Sequence, residues 1–384
     1  MVKTYDVVIV GAGSVGVPAA LAIAQKGLKV AIIDELASPG QGQNKKAIGG
    51  IRATHTSSAK IKIALRSIEI FSTWEEKYGH NIEWQQGGYT FVAYTEEHES
   101  LLKDNIKIQK EAGLNIDWVD ADKIEELVPG IDNRGLRGGT YSPEDGNASP
   151  LRSILAFYEQ SKIDGAQYFF KEKVIDIKKE GNKVKRVITD KEEYETSWII
   201  NAAGKNAREI AKSVGVDVPV YPDSHEAGIS EPVKKFIDPL VVDLRPGPGT
   251  KNFYFYQNVH GQFVLCLTPE PLIPGTDERE TSVFLPQVAN RLTRLIPRTK
   301  HLRIRRTWRG LYPMSPDGLP IVGETKETKG FINAVGMCGQ GFMLGPGLGE
   351  LLARIVTESL TNTDKEILRE LSLYREFAKA EKLK

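Results

Sequence analysis

The sequence predicts an α/β domain whose segments are interleaved with those of a β-rich domain. Three observations support this fold class. The chain opens with a strand, a glycine loop and a helix, and a second glycine-rich loop opens an apolar helix near the C-terminus. Two blocks of alternating, turn-rich sequence interrupt the α/β pattern between them. A length of 384 residues also suits two domains better than a single core.

The motif "GAGSVG" near the N-terminus carries the first functional prediction. Its glycines, Gly11, Gly13 and Gly16, lie between a buried apolar strand and a helix. In this pattern the first glycine permits a tight turn, the second lets a pyrophosphate approach the backbone, and the third lets the helix pack on the strand. Asp34 ends the next strand and can accept hydrogen bonds from a ribose diol, with Glu35 as the alternative. A turn without a ligand is the competing interpretation, but the intact unit favours dinucleotide binding.

Periodicity and turn signals predict the elements that follow. Helical spacing predicts helices over residues 57–79, 96–113, 149–167 and 284–297, the third of them capped by Ser149 and Pro150. Alternation predicts a meander over 167–204 that turns at Gly181, and a hairpin that turns near His260 and Gly261. We therefore assign residues 1–80, 138–217 and 310–384 to the nucleotide-binding domain, and 81–137 and 218–309 to a β-sheet substrate domain.

Composition excludes several classes of protein. Hydrophobic residues make up 40% and charged residues 26%, and a net charge of +1 gives no reason to expect nucleic-acid binding. We find no apolar stretch suited to a transmembrane span and no signal peptide, so we expect a cytoplasmic protein. The two cysteines, Cys266 and Cys338, form neither a disulfide framework nor a metal motif, and no metal site is predicted. The abundance of Lys and Glu favours a thermophilic source.

The second glycine loop, "GMCGQGFMLGPG" at residues 336–347, favours a flavin over NAD. The β-rich interruptions do not suit a simple dehydrogenase, and a redox ring far from the first loop needs support of its own. The helix N-terminus near Gly339 and Gly341 can stabilise negative charge on a reduced flavin. Gly345 and Gly347 are interpreted in the same way, as sites where backbone N–H groups approach the ring. The competing interpretation is a packed turn whose glycines only allow close contact.

These blocks together resemble the FAD-dependent amine oxidoreductases of the D-amino-acid oxidase superfamily. The resemblance spans nearly the whole chain: "GAGSVG" with Asp34, "AIGGIR" at 47–52, "NAAGKNA" at 201–207, "SPDGLPIVGET" at 315–325, and the second glycine loop. It implies a two-domain flavoprotein with a Rossmann-like FAD-binding domain. It also implies that further residues surround the FAD, namely Gly50, Val174, Ala203, Gly204, Asp317, Gly339, Gly341, Phe342 and Met343. Among these, Val174 is implied to contact the adenine through its backbone.

Two departures from the family pattern affect the expected chemistry. Monomeric sarcosine oxidases place a carboxylate-binding lysine where this chain has Met343, so another cation must bind the substrate carboxylate here. The same enzymes attach FAD to a cysteine just before the "PD" block, and this chain has none in "RTWRGLYPMSPD". We therefore expect FAD to be bound non-covalently.

Within the superfamily, the chain looks most like the β subunits of heteromeric sarcosine oxidases and archaeal dye-linked L-proline dehydrogenases. The segment "SHEAGISEP" at 224–232 is similar to the one that carries a second flavin, FMN, in the sarcosine oxidase β subunit. His225 occupies the position of the flavin-bearing histidine. The resemblance implies an FMN near His225 at an interface with a second (α) subunit, whereas a surface or core histidine is the alternative.

The candidate catalytic residues follow from the chemistry of amino-acid oxidation. The substrate carboxylate needs a clamp, and an arginine supplies a bidentate one. Arg52 and Arg309 are the candidates, with a scaffold ion pair as the alternative role. Tyr254 and Tyr256 share one face of a strand, where one of them could hydrogen-bond the substrate or both could form a structural aromatic pair.

The expected function is that of the catalytic FAD subunit of an amine dehydrogenase. L-proline is the favoured substrate and 1-pyrroline-5-carboxylate the product, with electrons passing through the second flavin to a protein or dye. A sarcosine or other N-methylamino-acid oxidase is the first alternative, and a glycine oxidase the second. A structural FAD-bearing subunit, or a partner of a tRNA-modifying flavoprotein, is the alternative from a different class.

Overall fold

The strand that precedes the first glycine loop lies at the centre of a six-stranded sheet. The computed structural model describes residues 2–377. The strands of this sheet are, in spatial order, Ile321–Glu324, Phe331–Val335, Trp198–Asn201, Val7–Val10, Val30–Asp34 and Gln167–Phe170. Only the pairing of the first two strands is antiparallel. Val7–Val10 is buried along its whole length, as expected for a central parallel strand covered on both faces.

Helices cover this sheet and give the first domain its core. Gly16–Ala24 follows the first glycine loop and packs against Pro150–Ile163 and Gly341–Val356. Ser149 caps the second of these helices by accepting a hydrogen bond from the N–H of Arg152, with Pro150 in the first turn, as predicted. The other helices of the described residues are Ser58–Tyr78, Glu96–Glu111, Ala121–Leu127, Ala207–Lys212, Phe284–Leu295 and Asn362–Glu370, with short 3₁₀ turns at Asn44–Lys46, Gly204–Asn206 and Pro297–Thr299.

The β-rich blocks form a separate eight-stranded sheet. Its spatial order is Ile304–Met314, Tyr221–Pro232, Gln262–Pro269, Thr250–Gln257, Leu240–Asp243, Tyr89–Ala93, Gly138–Ser142 and Asp117–Val119. One face packs on the helix Phe284–Leu295 through Phe253, Phe255 and Phe263. The opposite face carries Tyr89, Phe91 and Tyr254. The predicted combination of an α/β layer with a separate β-rich sheet is confirmed.

Two smaller sheets complete the fold. Four strands pair in the order Lys3–Thr4, Glu193–Glu195, Lys183–Thr189 and Val174–Glu180. The last three form the middle of the predicted meander, with its turn at Gly181, whereas its first and last strands, Gln167–Phe170 and Trp198–Asn201, lie in the six-stranded sheet. Gly50–Ile51 pairs with Gly146–Asn147. The predicted division into two domains stays a prediction, although Gly138–Ser142 and the end of Ile304–Met314 pair within the eight-stranded sheet and lie beyond the predicted boundaries. Within residues 2–377, each helix is too short or too polar to cross a membrane.

The interpretation of two glycines in the second loop is wrong. A Cβ atom on Gly345 would lie 1.9 Å from the backbone oxygen of Ser14, and one on Gly347 would lie 2.3 Å from that of Ile63. The Gly347 N–H donates to Ser67 Oγ at 2.9 Å. These glycines therefore let the helix Gly341–Val356 pack closely on the first glycine loop and on the helix Ser58–Tyr78, and they do not face a ring.

Candidate functional site

A single elongated cavity of about 780 Å³ brings most of the predicted site residues together. It runs from the C-terminal edge of the six-stranded sheet to the aromatic face of the eight-stranded sheet. The predicted residues that line it are Gly11, Gly13, Asp34, Gly50, Arg52, Val174, Ala203, Gly204, His225, Tyr254, Gly339, Gly341, Phe342 and Met343. Gly16, Tyr256, Arg309 and Asp317 do not line it.

The first glycine loop has the geometry that its motif predicts. Gly11 has a φ of +107°, in the region that favours glycine, and its Cβ would lie 2.5 Å from the Ala202 oxygen. A Cβ on Gly16 would lie 1.8 Å from the Gly11 oxygen, so helix and strand meet without space for a side chain. A Cβ on Gly13 would meet nothing within 4 Å, because it points into the cavity. That open position leaves room for a pyrophosphate against the backbone.

Asp34 joins the glycine loop to the end of its strand. Its Oδ2 accepts a hydrogen bond from the Ala12 N–H at 2.7 Å, and its Oδ1 accepts one from the Leu36 N–H at 2.8 Å. Burial raises the pKa of Asp34, although both N–H groups oppose the shift. The neighbouring Glu35 also lines the cavity and accepts from Asn206 Nδ2 at 3.0 Å. The choice between the two acids as ribose ligand stays a prediction.

The loop before Arg52 is shaped by Tyr256. The Tyr256 hydroxyl donates to the Ile48 backbone oxygen, and a Cβ on Gly49 would lie 2.8 Å from that hydroxyl oxygen. Gly49 has a φ of +92°. The structure thus gives Tyr256 a contact that holds the loop, and only Tyr254 of the predicted tyrosine pair reaches the cavity.

Arg52 is a buried cation at the aromatic end of the cavity. It is 5% exposed, and its guanidinium carbon lies 5.6 Å from the ring centroid of Tyr89 and 5.4 Å from that of Phe91. Its Nη1 donates to the Thr54 backbone oxygen and lies 3.2 Å from His55 Nδ1. Because aromatic rings and a low-dielectric environment surround it, a charge at this position attracts an anion strongly.

His225 and Tyr312 line the cavity side by side. Their rings stack with centroids 3.8 Å apart and an interplanar angle of 13°. His225 Nε2 lies 2.8 Å from Asp223 Oδ2, and the Tyr312 hydroxyl lies 3.3 Å from that of Tyr254. Burial raises the pKa of both tyrosines, so their hydroxyls stay protonated and can donate.

Sequence reasoning did not select Tyr312 as a site residue. Tyr312 could have been found from its position two residues after Gly310, which places both on the same face of one strand. That strand pairs with the strand that carries His225. Gly339 depends on the same tyrosine, because a Cβ on it would lie 2.2 Å from the Tyr312 ring. The second glycine loop therefore approaches the aromatic end of the cavity at a position where only glycine fits.

The structure does not bring Arg309 to the cavity. Its side chain lies on the opposite face of the strand from Gly310 and Tyr312, and its Nη1 donates to the Arg279 backbone oxygen at 2.9 Å. Arg309 is buried, and its hydrogen bond to Arg279 attaches it to the segment that follows the strand Gln262–Pro269. Arg52 is therefore the predicted carboxylate clamp that the cavity contains.

Asp317 also lies away from the cavity lining. Its carboxylate receives hydrogen bonds from Arg375 Nε and Nη2 at 2.8 and 2.9 Å, and from the Leu319 N–H at 3.1 Å. Burial acts to raise the pKa of Asp317, but Arg375 and the N–H group outweigh it, so that the pKa is lowered. The structure thus gives Asp317 the role of attaching the C-terminal segment to the "SPDG" turn.

We expect Asp317→Asn to lower the free energy of unfolding by about 3–5 kcal/mol at pH 7, because it leaves Arg375 buried without its anion. Because the pKa of Asp317 is lowered in the folded protein, its carboxylate stabilises the fold fully at pH values above the ordinary pKa of 3.8. This stabilisation is lost as the pH falls through the pKa that Asp317 has in the folded protein. The difference between variant and wild type, measured by thermal melting, should therefore be constant from pH 6 to 8 and shrink below about pH 4.

Asp217→Asn is the matched control for this prediction. Asp217 forms a similar fork with Arg208 at 2.8 and 3.1 Å, but its side chain is 63% exposed. Its loss should cost less than about 1 kcal/mol. Equal destabilisation by the two variants would contradict the role assigned to burial at Asp317.

This fold and cavity are those of a two-domain protein in which a dinucleotide-binding groove opens into an aromatic pocket. The profile of the family described as FAD dependent oxidoreductase matches residues 6–355, and the chain belongs to that family. The superfamily predicted from the motifs is thereby confirmed.

Solved structures and curated relatives agree with this assignment. L-proline dehydrogenase from P. horikoshii superposes with a TM-score of 0.91 at 30% identity, covering 98% of both chains. Glycine oxidase from Geobacillus kaustophilus superposes with a TM-score of 0.86 at 25% identity, covering 97% of this chain and 99% of that one. Hydrogen cyanide synthase subunit HcnC from Pseudomonas protegens is 27% identical over 95% of both chains.

The residues of the cavity fit FAD. The Gly13 position is open where a pyrophosphate needs backbone contact, and Asp34 has carboxylate oxygens at the ribose position of the motif. Among residues 2–377, Gln340 Oε1 is a buried oxygen without a hydrogen-bond partner, and Gln340 lines the aromatic end of the cavity beside the helix N-terminus. A flavin offers polar edge atoms that can satisfy such groups.

Proposed function

We propose that this chain is the catalytic FAD subunit of an amino-acid dehydrogenase, with L-proline as substrate and 1-pyrroline-5-carboxylate as product. The observation that carries the proposal is the buried Arg52 at the aromatic end of the FAD cavity, where it can bind a substrate carboxylate. The likeness to the P. horikoshii L-proline dehydrogenase supports the choice of substrate.

In the proposed reaction, bound FAD would supply the acceptor for a hydride from the proline ring carbon that is bonded to nitrogen and does not carry the carboxylate, which is the oxidation that gives 1-pyrroline-5-carboxylate. The protein residues bind and orient the substrate. Arg52 holds the carboxylate, and the rings of Tyr89, Phe91 and Tyr312 exclude water around it. The Tyr254 and Tyr312 hydroxyls remain protonated and can donate hydrogen bonds to the substrate. Gly339 and Gly341 bring backbone N–H groups to the cavity at the start of the helix, where negative charge is stabilised.

The same proposal includes a second flavin and a second subunit. FMN near His225 would receive electrons from FAD and pass them to a protein or dye at an interface with an α subunit. His225 is 6% exposed and its Nε2 faces Asp223, so a covalent bond at Nε2 would require Asp223 to move. We propose contact between FMN and this region, in a cytoplasmic complex. The similarity to the HcnC subunit supports an assembly of more than one chain.

Glycine oxidation is the second candidate function. The glycine oxidase from Geobacillus kaustophilus is 27% identical over 99% of both chains, which supports glycine as the next substrate to test. Sarcosine is the third substrate that we consider, because mouse sarcosine dehydrogenase is 24% identical over 94% of this chain. All three substrates carry a carboxylate that Arg52 can bind, so Arg52 does not distinguish them.

The test is anaerobic mixing of the purified, FAD-loaded protein with L-proline, sarcosine or glycine while the flavin absorbance is recorded. We expect rapid bleaching with L-proline and little with the other two. Bleaching by glycine alone would replace the proposal with the second candidate. If FAD is bound and none of the three amines bleaches it, the isolated chain is a structural FAD-bearing subunit or requires its partner, and repeating the experiment with a co-expressed partner separates these outcomes.

A further inference from the structure

Asp145 is a buried carboxylate directly behind the segment that carries Arg52. It is 0% exposed and does not line the cavity. Its Oδ1 accepts a hydrogen bond from the Ala53 N–H at 3.1 Å, and its Oδ2 accepts one from Thr54 Oγ1 at 3.1 Å. Ala53 and Thr54 are the two residues after Arg52. Asp145 therefore fixes the backbone from which the Arg52 side chain extends into the cavity.

Burial makes Asp145 the titratable member of this cluster. Burial raises its pKa to about 7, although the Ala53 and Thr54 donors and the Arg52 charge act in the opposite direction. Tyr89, on the strand facing Arg52, has a pKa raised to about 12, chiefly by burial. His55 has a pKa well below its ordinary value because of burial and the charges of Lys60 and Arg52, so it stays neutral. Near neutral pH, Asp145 is the group whose charge responds to the state of Arg52.

We propose that Asp145 positions Arg52 and takes up one proton from solvent when a substrate carboxylate binds to Arg52. The proposal rests on the proposed function, because it requires a carboxylate as the ligand of Arg52. Before binding, the positive charge of Arg52 acts to lower the pKa of Asp145. Once a substrate carboxylate binds that guanidinium, two anions in one buried site disfavour each other. When one Asp145 oxygen takes up a proton, the substrate carboxylate is the one anion that remains with the Arg52 cation. No other bond changes.

The expected sign of the pH dependence follows from this exchange. A carboxylate binds more tightly when Asp145 is protonated, since Arg52 then has no other anion. Affinity should therefore fall as pH rises through about 7, by at most about tenfold per pH unit, and level off above the higher pKa that Asp145 has in the complex. Over the falling part of the curve, binding should be accompanied by uptake of a fraction of a proton.

The test uses the FAD-loaded protein and L-tetrahydro-2-furoate, a ring carboxylate of proline-like shape that has no amine to oxidise. Binding is followed from pH 6 to 9 by the change in flavin absorbance. Proton uptake is measured by calorimetry in two buffers of different ionisation enthalpy. Asp145→Asn keeps an acceptor for the Ala53 N–H and removes the charge, whereas Asp145→Ala removes both.

We expect Asp145→Asn to bind the furoate with an affinity that does not change with pH and without proton uptake. Asp145→Ala should bind at least about tenfold more weakly at every pH, because the Arg52 segment has lost both anchors. FAD content and far-UV circular dichroism check that each variant is folded. If Asp145→Ala does not fold, the comparison of Asp145→Asn with wild type still decides the question.

Two outcomes would overturn the inference, and they differ in what they leave standing. If wild type and Asp145→Asn take up protons equally, while Arg52→Met abolishes binding, Asp145 is not the proton acceptor but Arg52 remains the clamp. If Arg52→Met binds the furoate as tightly as wild type, the carboxylate clamp itself is wrong, and the inference fails together with that part of the proposed function.

Discussion

Replacing Arg52 with Met should lower kcat/KM for the amino-acid substrate by about 30- to 1,000-fold, equivalent to the loss of about 2–4 kcal/mol of binding. The reason is that a substrate carboxylate in this aromatic pocket would lose its counter-charge away from water. Since the carboxylate is bound similarly before and during the reaction, most of the loss should appear in KM. Stopped-flow measurement of flavin reduction against substrate concentration separates KM from the limiting rate.

Two further variants sharpen this expectation. Arg52→Lys keeps the charge but loses the planar fork, so its kcat/KM should lie between those of wild type and Arg52→Met. Arg66→Met is the matched control, because Arg66 pairs with Glu350 at 2.8 Å on the surface and does not line the cavity. It should leave KM unchanged. A wild-type KM in Arg52→Met would contradict the clamp and direct attention to another cation.

The first glycine loop could be predicted from sequence because its determinants are local. The turn at Gly11 and the contact of Gly16 with the preceding strand depend on residues a few positions apart, which the motif specifies directly. The hairpin near Gly261 and the Ser149 cap depend on equally short spacings. Local backbone chemistry is enough to locate these features without knowledge of the tertiary fold.

The substrate end of the cavity depends on which face of a strand a residue occupies and how far along the strand it lies. Arg309 is adjacent to Gly310 in sequence, but alternation places the two side chains on opposite faces. Tyr254 and Tyr256 share a face, yet Tyr256 contacts Ile48 and only Tyr254 reaches the cavity. The strand register could be anticipated in part, whereas the position of the loop that meets Tyr256 is a property of the tertiary structure.

The second glycine loop combines two roles that sequence did not separate. Gly339 is constrained by the ring of Tyr312 at the cavity, while Gly345 and Gly347 are constrained by backbone atoms of the first glycine loop and of the helix Ser58–Tyr78. Glycine is required in each case because there is no space for a Cβ atom. Only the identity of the neighbour distinguishes a glycine that serves the site from one that serves helix packing.

Gly13→Ala and Gly16→Ala should fail to hold FAD for different reasons, although the two glycines lie three residues apart. Alanine at position 13 meets no protein atom within 4 Å, so the apo-protein should melt at the wild-type temperature. Its methyl group occupies the space where the pyrophosphate contacts the backbone, and FAD affinity should fall at least about tenfold.

Alanine at position 16 would place its methyl carbon 1.8 Å from the Gly11 backbone oxygen, a contact that neither segment can relieve by rotating a side chain. Helix and strand must move apart, at a cost of about 1–3 kcal/mol or more, so both the melting temperature of the apo-protein and FAD affinity should fall. Fluorescence titration with FAD and melting of the apo-protein give the two quantities. Wild-type affinity in Gly13→Ala would show that the pyrophosphate does not lie at this loop, whereas wild-type stability in Gly16→Ala would refute the close helix–strand contact.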